Sequence, residues 1–387
     1  MNQYIFILGN NPELSVAEIK SVYPQISVIK KTDLFLIGQI DNFDCQKALN
    51  NLGGTIKIGQ VIGDKLDEEL IIKEIIKKAA IKIHPVKYRE AVISPKAKLF
   101  NRVNYGLSFY KTKPSSVGLE IKRKLKELGI SSRLVVSKEP ILSSVIVKKN
   151  KVMEFLVLPD ALGLTGAVQE FEEYGKRDYN RPKIDAHSGL LPPKLAKMMI
   201  NLSLADKNGL LLDPFCGSGT VLSEALALGY KNLIGSDVSP KASSDTTDNL
   251  DWLSSEYQLT DAHYQIYNLE VSRLSDKLKP ASIDAIVSEP YLGPTLKGDA
   301  KENKIFKIIT EVAGIYLKAF QEFKTVLKPD GRVVIVLPLW RLNGREFNLK
   351  IENKIADLGF RRQDKNNLIY KRPEQKIWRQ IEIWQSQ

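Results

Sequence analysis

The chain has 387 residues, 43% of them hydrophobic and 26% charged, a globular composition with room for two or three cored domains. No stretch approaches the ~20 apolar residues of a membrane helix and Met1–Gly9 has no basic leader, so a cytoplasmic protein off the membrane is expected. Two cysteines, Cys45 and Cys216, exclude a disulfide framework, and three scattered histidines, His84, His187 and His263, show no metal-ligand spacing, so no metal is expected.

The net charge of +12 is unevenly spread. Residues 1–75 carry 7 basic and 10 acidic side chains, residues 76–165 carry 19 and 6, and residues 166–387 carry 31 and 29. The excess sits in one segment of about 90 residues, which suits a polyanion such as nucleic acid; a lysine-rich surface serving solubility is the alternative.

In chain order, residues 4–8 read as a strand, and Ser15 with Glu18 stand at capping-box spacing, which predicts a helix starting at Ser15. Strands at Ile26–Ile29 and Leu34–Ile40, a helix from about Phe43 and a strand at Thr55–Ile62 complete a β-α-β-β-α-β order, that of a ferredoxin-like module. The basic segment then predicts a helix at Asp67–Lys82, strands at Glu90–Ile93 and Val103–Tyr110, and a helix over Ser116–Leu128 closed by Gly129. Strands follow at Leu134–Val136, Val145–Val147 and Glu154–Leu158. On the helix, Ile121, Leu125 and Leu128 share one face and leave Lys122, Arg123 and Lys124 outward; with Arg133 nearby they form a candidate nucleic-acid surface.

Glycines, prolines and charges over 163–193 read as a linker. Beyond it, helices at Pro193–Leu204, Thr220–Leu228, Ser239–Leu253, Phe306–Leu327 and Leu349–Asp357 alternate with strands at Leu210–Leu212, Asn232–Ser236, Tyr264–Tyr267, Ala285–Ser288 and Arg332–Leu337. This is the alternation of an α/β doubly wound sheet, with Leu368–Lys371 and Trp378–Trp384 expected as an antiparallel pair at its edge.

Three stretches carry chemistry. Asp213-Pro214-Phe215-Cys216-Gly217-Ser218-Gly219-Thr220 runs from a strand through a glycine turn into a helix, a nucleotide-type cradle without the Lys-Ser/Thr end of a triphosphate-binding loop. Asp237 ends the next strand about 20 residues on, where such sheets bind ribose hydroxyls; taken alone such an acid is more often a helix N-cap, but at this spacing from the glycine loop the ribose role is the better reading. Ser288-Glu289-Pro290-Tyr291 ends an apolar strand with a hydroxyl, a carboxylate, a rigid ring and an aromatic.

The first and third stretches together resemble the motif pair of amino-group methyltransferases that use S-adenosylmethionine. Tyr105–Ser108, Ile121–Leu125, Ser131–Val135 and Leu142–Val145 resemble a THUMP RNA-binding domain, and Leu8–Ile19 is similar to the start of the THUMP-containing tRNA guanine-N2 methyltransferases acting on position 10. The resemblance implies a ferredoxin-like domain (1–75), a THUMP domain (76–165), a linker (166–190) and a Rossmann-like class I methyltransferase domain (191–387), with tRNA as substrate and partner. An auxiliary subunit or a homo-oligomer stays open.

By that resemblance Asp213 and the Gly217/Gly219 loop hold the methionine part of the cofactor, Asp237 its ribose, and Glu270 lies near the adenine amino group. Val238 packs on the adenine or is a core valine. Ser288 Oγ and the Glu289 carbonyl accept from a guanine amine, Pro290 fixes the turn and Tyr291 stacks on the base. The pattern departs at two positions. Glu289 stands where the family has its first proline, and Ser288 where the tRNA subgroup has aspartate. Glu289 is then a proton acceptor or a surface carboxylate. A DNA adenine or cytosine amino methyltransferase and a catalytically silent RNA-binding protein are the competing readings.

Overall fold

The computed structural model describes residues 2–80, 102–184, 191–294, 302–342, 344–363, 367–372, 375 and 377–387. The strand expected at Glu90–Ile93, and His84 and His187, lie outside them. The chain forms two compact units: Met1–Gly9, Gln25–Asn50 and Thr55–Phe171 make one, and Asn10–Pro24, Asn51–Gly54 and Glu172–Gln387 the other.

In the first half the elements are β1 (Asn2–Leu8), α1 (Pro12–Val22), β2 (Ser27–Lys31), β3 (Phe35–Ile40), α2 (Cys45–Asn51), β4 (Thr55–Gly63), α3 (Glu68–Ala80), β5 (Val103–Phe109) and α4 (Val117–Glu127). Then come β6 (Ser132–Leu134), α5 (Ser144–Lys149), β7 (Met153–Leu158), β8 (Ala161–Val168) and α6 (Phe171–Tyr179). The strands of the first unit form one eight-stranded sheet in the order β2-β3-β1-β4-β8-β7-β5-β6. Its first four strands have the antiparallel order of a ferredoxin-like module. Strands on either side of residue 75 share this sheet, because β4 pairs with β8, Lys57 opposite Val168.

Three local expectations change. The first helix begins at Pro12, not Ser15, and the serine and glutamate of the supposed capping box are buried. Ser15 Oγ donates to Asn11 O and Gly54 O, while Glu18 accepts from the N–H groups of Gly53 and Gly54. The β-branched run Val145–Val147 is helical, since Ser143 Oγ caps it by accepting from Ile146 N at 3.2 Å. The supposed linker instead contains α6 and the end of β8. Gly163 and Gly166 are there for close approach: a Cβ at Gly163 would come 2.5 Å from Ile5 Cδ1, and one at Gly166 3.0 Å from Cys45 Sγ.

The second half continues with α7 (Pro193–Ser203), β9 (Leu210–Asp213), α8 (Thr220–Ala227), β10 (Asn232–Asp237), α9 (Pro240–Glu256), β11 (His263–Asn268), a 3₁₀ turn at Val271–Asp276 and β12 (Ile283–Ser288). It ends with α10 (Glu302–Val326), β13 (Leu327–Leu342), β14 (Arg345–Phe347), α11 (Glu352–Asp357), β15 (Phe360–Arg362), β16 (Leu368–Tyr370) and β17 (Ile377–Ser386). The second sheet runs β11-β10-β9-β12-β13-β17-β15. Its first five strands are parallel, and β17 is antiparallel between β13 and β15. The last strand is therefore interior rather than at the edge, although β16 pairs with it as expected.

Both faces are covered, as a parallel sheet requires. Along β13, Val333 and Ile335 pack with Phe320, Phe323 and Trp384 on one side. Val334 and Val336 pack with Leu195, Met199 and Leu222 on the other. The strand order reverses between β9 and β12, the switch point where open α/β sheets bind ligands beyond their carboxyl ends.

Candidate active site

Asp213 closes β9 and Ser288 closes β12, neighbours in the sheet with Leu212 opposite Ile286. The pairing brings the two chemical motifs together: Ser288 Oγ donates to Asp213 Oδ1 at 2.6 Å. The N–H of Phe215 donates to the same oxygen at 3.2 Å. Asp213 is 2% exposed, and burial pushes its carboxyl up to about 7. The Asp237 and Glu289 carboxylates push the same way, while the bonds from Ser288 and Phe215 oppose them.

The loop after β9 is shaped by two glycines in the left-handed region, Gly217 at φ +53° and Gly219 at φ +83°. A Cβ on Gly217 would meet nothing within 4 Å, so the loop faces open space there. Gly219 is the N-cap of α8 without a side-chain cap, which leaves N–H groups free for a ligand. Cys216 is buried behind the loop, Pro214 O accepts from Ser236 Oγ, and Phe215 is half-buried against the core.

Asp237, at the end of β10, accepts from Gly217 N at 3.0 Å and Ser239 N at 2.9 Å. Its carboxylate thus ties two strand ends together and keeps lone pairs for further donors. Val238 is 70% exposed, so it is not a core valine, and Glu270 is exposed just beyond β11.

One residue of this region escapes sequence reasoning. Arg181, in the supposed linker, is 5% exposed and donates from Nη1 to Thr220 Oγ1 at 2.8 Å. Its Nε has no partner among the described residues. Asn249 pins this segment to the glycine loop by donating to Lys183 O and Ser218 O and accepting from Lys183 N. The only signal in the sequence is an Arg-Pro pair among loop residues.

These groups fit S-adenosylmethionine. Its methionine part carries an ammonium, for which Asp213 is an acceptor, and a carboxylate, for which the buried guanidinium of Arg181 and the open start of α8 are donors. The lone pairs of Asp237 suit ribose hydroxyls.

In the turn after β12, Glu289 is not the surface carboxylate of the second expectation. Its side chain is 12% exposed and forms an ion pair with Arg379 of β17, which is 7% exposed. Arg379 Nε donates to Glu289 Oε1, and Nη2 donates to Oε2 at 3.3 Å. The carboxylate is therefore largely withdrawn from the surface and engaged by a buried guanidinium. Ser288 is fully buried and Pro290 buried, whereas Tyr291 is 54% exposed.

In the first unit, Lys122 and Arg123 lie on the exposed face of α4, with Ile121 and Leu125 buried beneath. Arg133 is exposed on β6, and Lys124 is drawn to Glu68 at 3.3 Å. A cleft of about 510 Å³ in the same unit is lined by Lys78, Arg102, Lys149 and Lys151, with Asn104 and Thr165. It joins cations from distant parts of the sequence, so no single stretch signals it.

Residues 180–341 match a family described as RMKL-like, methyltransferase domain, and residues 27–248 match a family described as DNA methylase. The former match contains the Ser288 turn; the latter ends before it. A tRNA (guanine(10)-N2)-dimethyltransferase of Methanocaldococcus jannaschii is 35% identical over 148 residues, 36% of this chain and 41% of the relative. The chain thus spans about two fifths of that relative's length. A probable tRNA (guanine(10)-N2)-dimethyltransferase of Methanothermococcus thermolithotrophicus is 32% identical over 162 residues, 41% of this chain and 85% of the relative. The crystal structure of TrmN from Thermus thermophilus shares the fold, with a TM-score of 0.51 and 13% identity over the whole of both chains. With its glycine loop and the Ser288 turn on adjacent strand ends and a relative matched over most of its length, the chain belongs to the tRNA (guanine(10)-N2)-dimethyltransferase family.

Proposed function

We propose that the protein methylates the exocyclic N2 of a guanosine in tRNA, at position 10 and to the dimethylated product, as the relatives' names describe for them. The observation that carries this is the hydrogen bond from Ser288 to Asp213, which joins a cofactor-type loop to an amine-type turn at the switch point of the sheet. S-adenosylmethionine, held by Asp213, Arg181, Asp237 and the loop Gly217–Thr220, supplies an electrophilic methyl group.

The chain's own residues then act on the base. A guanine amine is a weak nucleophile because its lone pair is delocalised into the ring. Acceptors of hydrogen bonds from its N–H groups turn the lone pair toward the methyl carbon. As the new C–N bond forms the C–S bond breaks, S-adenosylhomocysteine is the leaving group, and the methylated amine gives up one proton to water. The base stacks on the exposed ring of Tyr291, and the main-chain carbonyl of Glu289 accepts from the amine. Ser288 Oγ donates its proton to Asp213 and so keeps its own lone pairs as acceptors for the amine. Positioning and electrostatics dominate such a transfer, and the base must first leave its stack, which costs roughly a few kcal/mol. Lys122, Arg123, Lys124 and Arg133 supply the RNA contacts that offset this cost.

The test is incubation with S-adenosylmethionine labelled in the methyl group and either unmodified tRNA or duplex DNA, followed by nucleoside mass spectrometry. The expected product is N2,N2-dimethylguanosine in tRNA with no label in DNA. The DNA methylase match favours a second reading, amino methylation of a DNA base, and label in DNA alone would establish it instead.

A further inference from the structure

We propose that Arg379 is a positioning residue for the methyl-accepting turn, replacing through its ion pair with Glu289 the rigidity that a proline at 289 would supply. The inference rests on the function proposed above and concerns how this chain achieves it without the usual proline.

Glu289 directly follows the last residue of β12, so its own main chain shapes the turn that leads to Pro290 and Tyr291. A proline there would fix φ near −65°, whereas glutamate leaves that torsion free. The structure supplies a different constraint. The strand order β12-β13-β17 puts Arg379 two strands away, so the ion pair reaches across β13. Arg379 sits on an interior stretch of β17, opposite Pro338 on one side and Tyr370 on the other. Its main chain is therefore held by neighbours on both edges. A guanidinium fork gripping both carboxylate oxygens fixes direction as well as distance, which one ammonium does not.

The pair also has an electrostatic consequence. The Glu289 carboxylate is one of the charges that push the buried Asp213 up, after burial itself and Asp237. The Arg379 cation makes a second carboxylate tolerable next to Asp213. With its carboxylate engaged by Arg379, Glu289 keeps its main-chain carbonyl oxygen for the substrate.

The experiment compares Arg379→Leu, Arg379→Lys, Glu289→Pro and the double variant Glu289→Pro/Arg379→Leu in the 387-residue chain. Each is measured for methyl transfer to tRNA, for S-adenosylhomocysteine affinity by calorimetry and for Tm. Arg379→Leu should lower kcat about 100-fold, a loss typical of a misplaced reacting group, with cofactor affinity within about twofold of wild type. The double variant should recover to within about tenfold of wild type, because proline restores the turn and no lone charge is buried. If Arg379→Leu does not fold, Arg379→Lys, which keeps the charge and loses the fork, should lower kcat about tenfold at a near wild-type Tm. Wild-type kcat in a folded Arg379→Leu or Arg379→Lys protein overturns the inference. So does a folded double variant that binds cofactor and is no more active than Arg379→Leu, since Arg379 or the Glu289 carboxylate would then act in its own right. Cofactor binding by wild type without transfer to tRNA would instead sink the function proposed above.

Discussion

Among individual side chains, the most informative is a cation that the sequence hides in an irregular stretch. A guanidinium that is 5% exposed and bonded to a hydroxyl is costly unless an anion completes its shell. Burial holds the Arg181 pKa below the ordinary arginine value, with Asp178 and Glu224 pulling against it. An amino-acid carboxylate is the anion expected at that place. Arg181→Met should therefore weaken binding of S-adenosylhomocysteine about 100-fold and leave 5′-methylthioadenosine, which lacks the amino-acid part, within about twofold. Calorimetric titration of both ligands decides the matter; equal losses for the two would mean that Arg181 holds the fold of the loop and not a carboxylate.

Among the helices and strands, α4 shows how one element serves two purposes. Gly118, Ile121 and Leu125 are buried and anchor it to the first sheet, while Lys122, Arg123 and Lys126 point outward. Its amphipathic pattern is legible because spacing alone sets which side chains share a helix face. What spacing does not show is that Lys124 is partly neutralised by Glu68. Replacing Lys122, Arg123 and Lys124 with alanine should weaken tRNA binding about tenfold. The slope of log affinity against log salt should flatten by about 0.7 to 0.9 for each phosphate that the helix no longer neutralises, with Lys124 contributing least. Filter binding at several salt concentrations checks this. If the triple variant binds like wild type while alanines at Lys78, Arg102, Lys149 and Lys151 abolish binding, the cleft and not the helix holds the RNA.

For the protein taken whole, two buried carboxyls give stability a definite pH dependence. Asp213 and Glu18 are each pushed by burial to about 7. Their folded-state pKa values therefore lie above the unfolded ones, near 4, and the folded chain binds more protons between those limits. The contribution of these groups is full below about pH 4 and is lost as pH rises through about 7, by on the order of several kcal/mol for the two together. The Tm of Asp213→Asn/Glu18→Gln should accordingly rise relative to wild type as pH increases from 4 to 8. Parallel Tm curves would show that neither group takes up a proton on folding. The helix and strand alternation, the glycine turn after β9, the Ser288–Tyr291 turn after β12 and the outward lysines of α4 could all be read before any fold was known, because each is written in spacing along a few consecutive residues. Folding in three dimensions added that Glu289 is clamped by Arg379, that Arg181 reaches the glycine loop, that Val145–Val147 is helical and that Gly163 and Gly166 serve a strand. Apart from the helix, which Ser143 caps locally, those outcomes depend on partners as distant in sequence as Arg379 from Glu289 or Ile5 from Gly163 and on the room left by neighbouring side chains, neither of which local periodicity records.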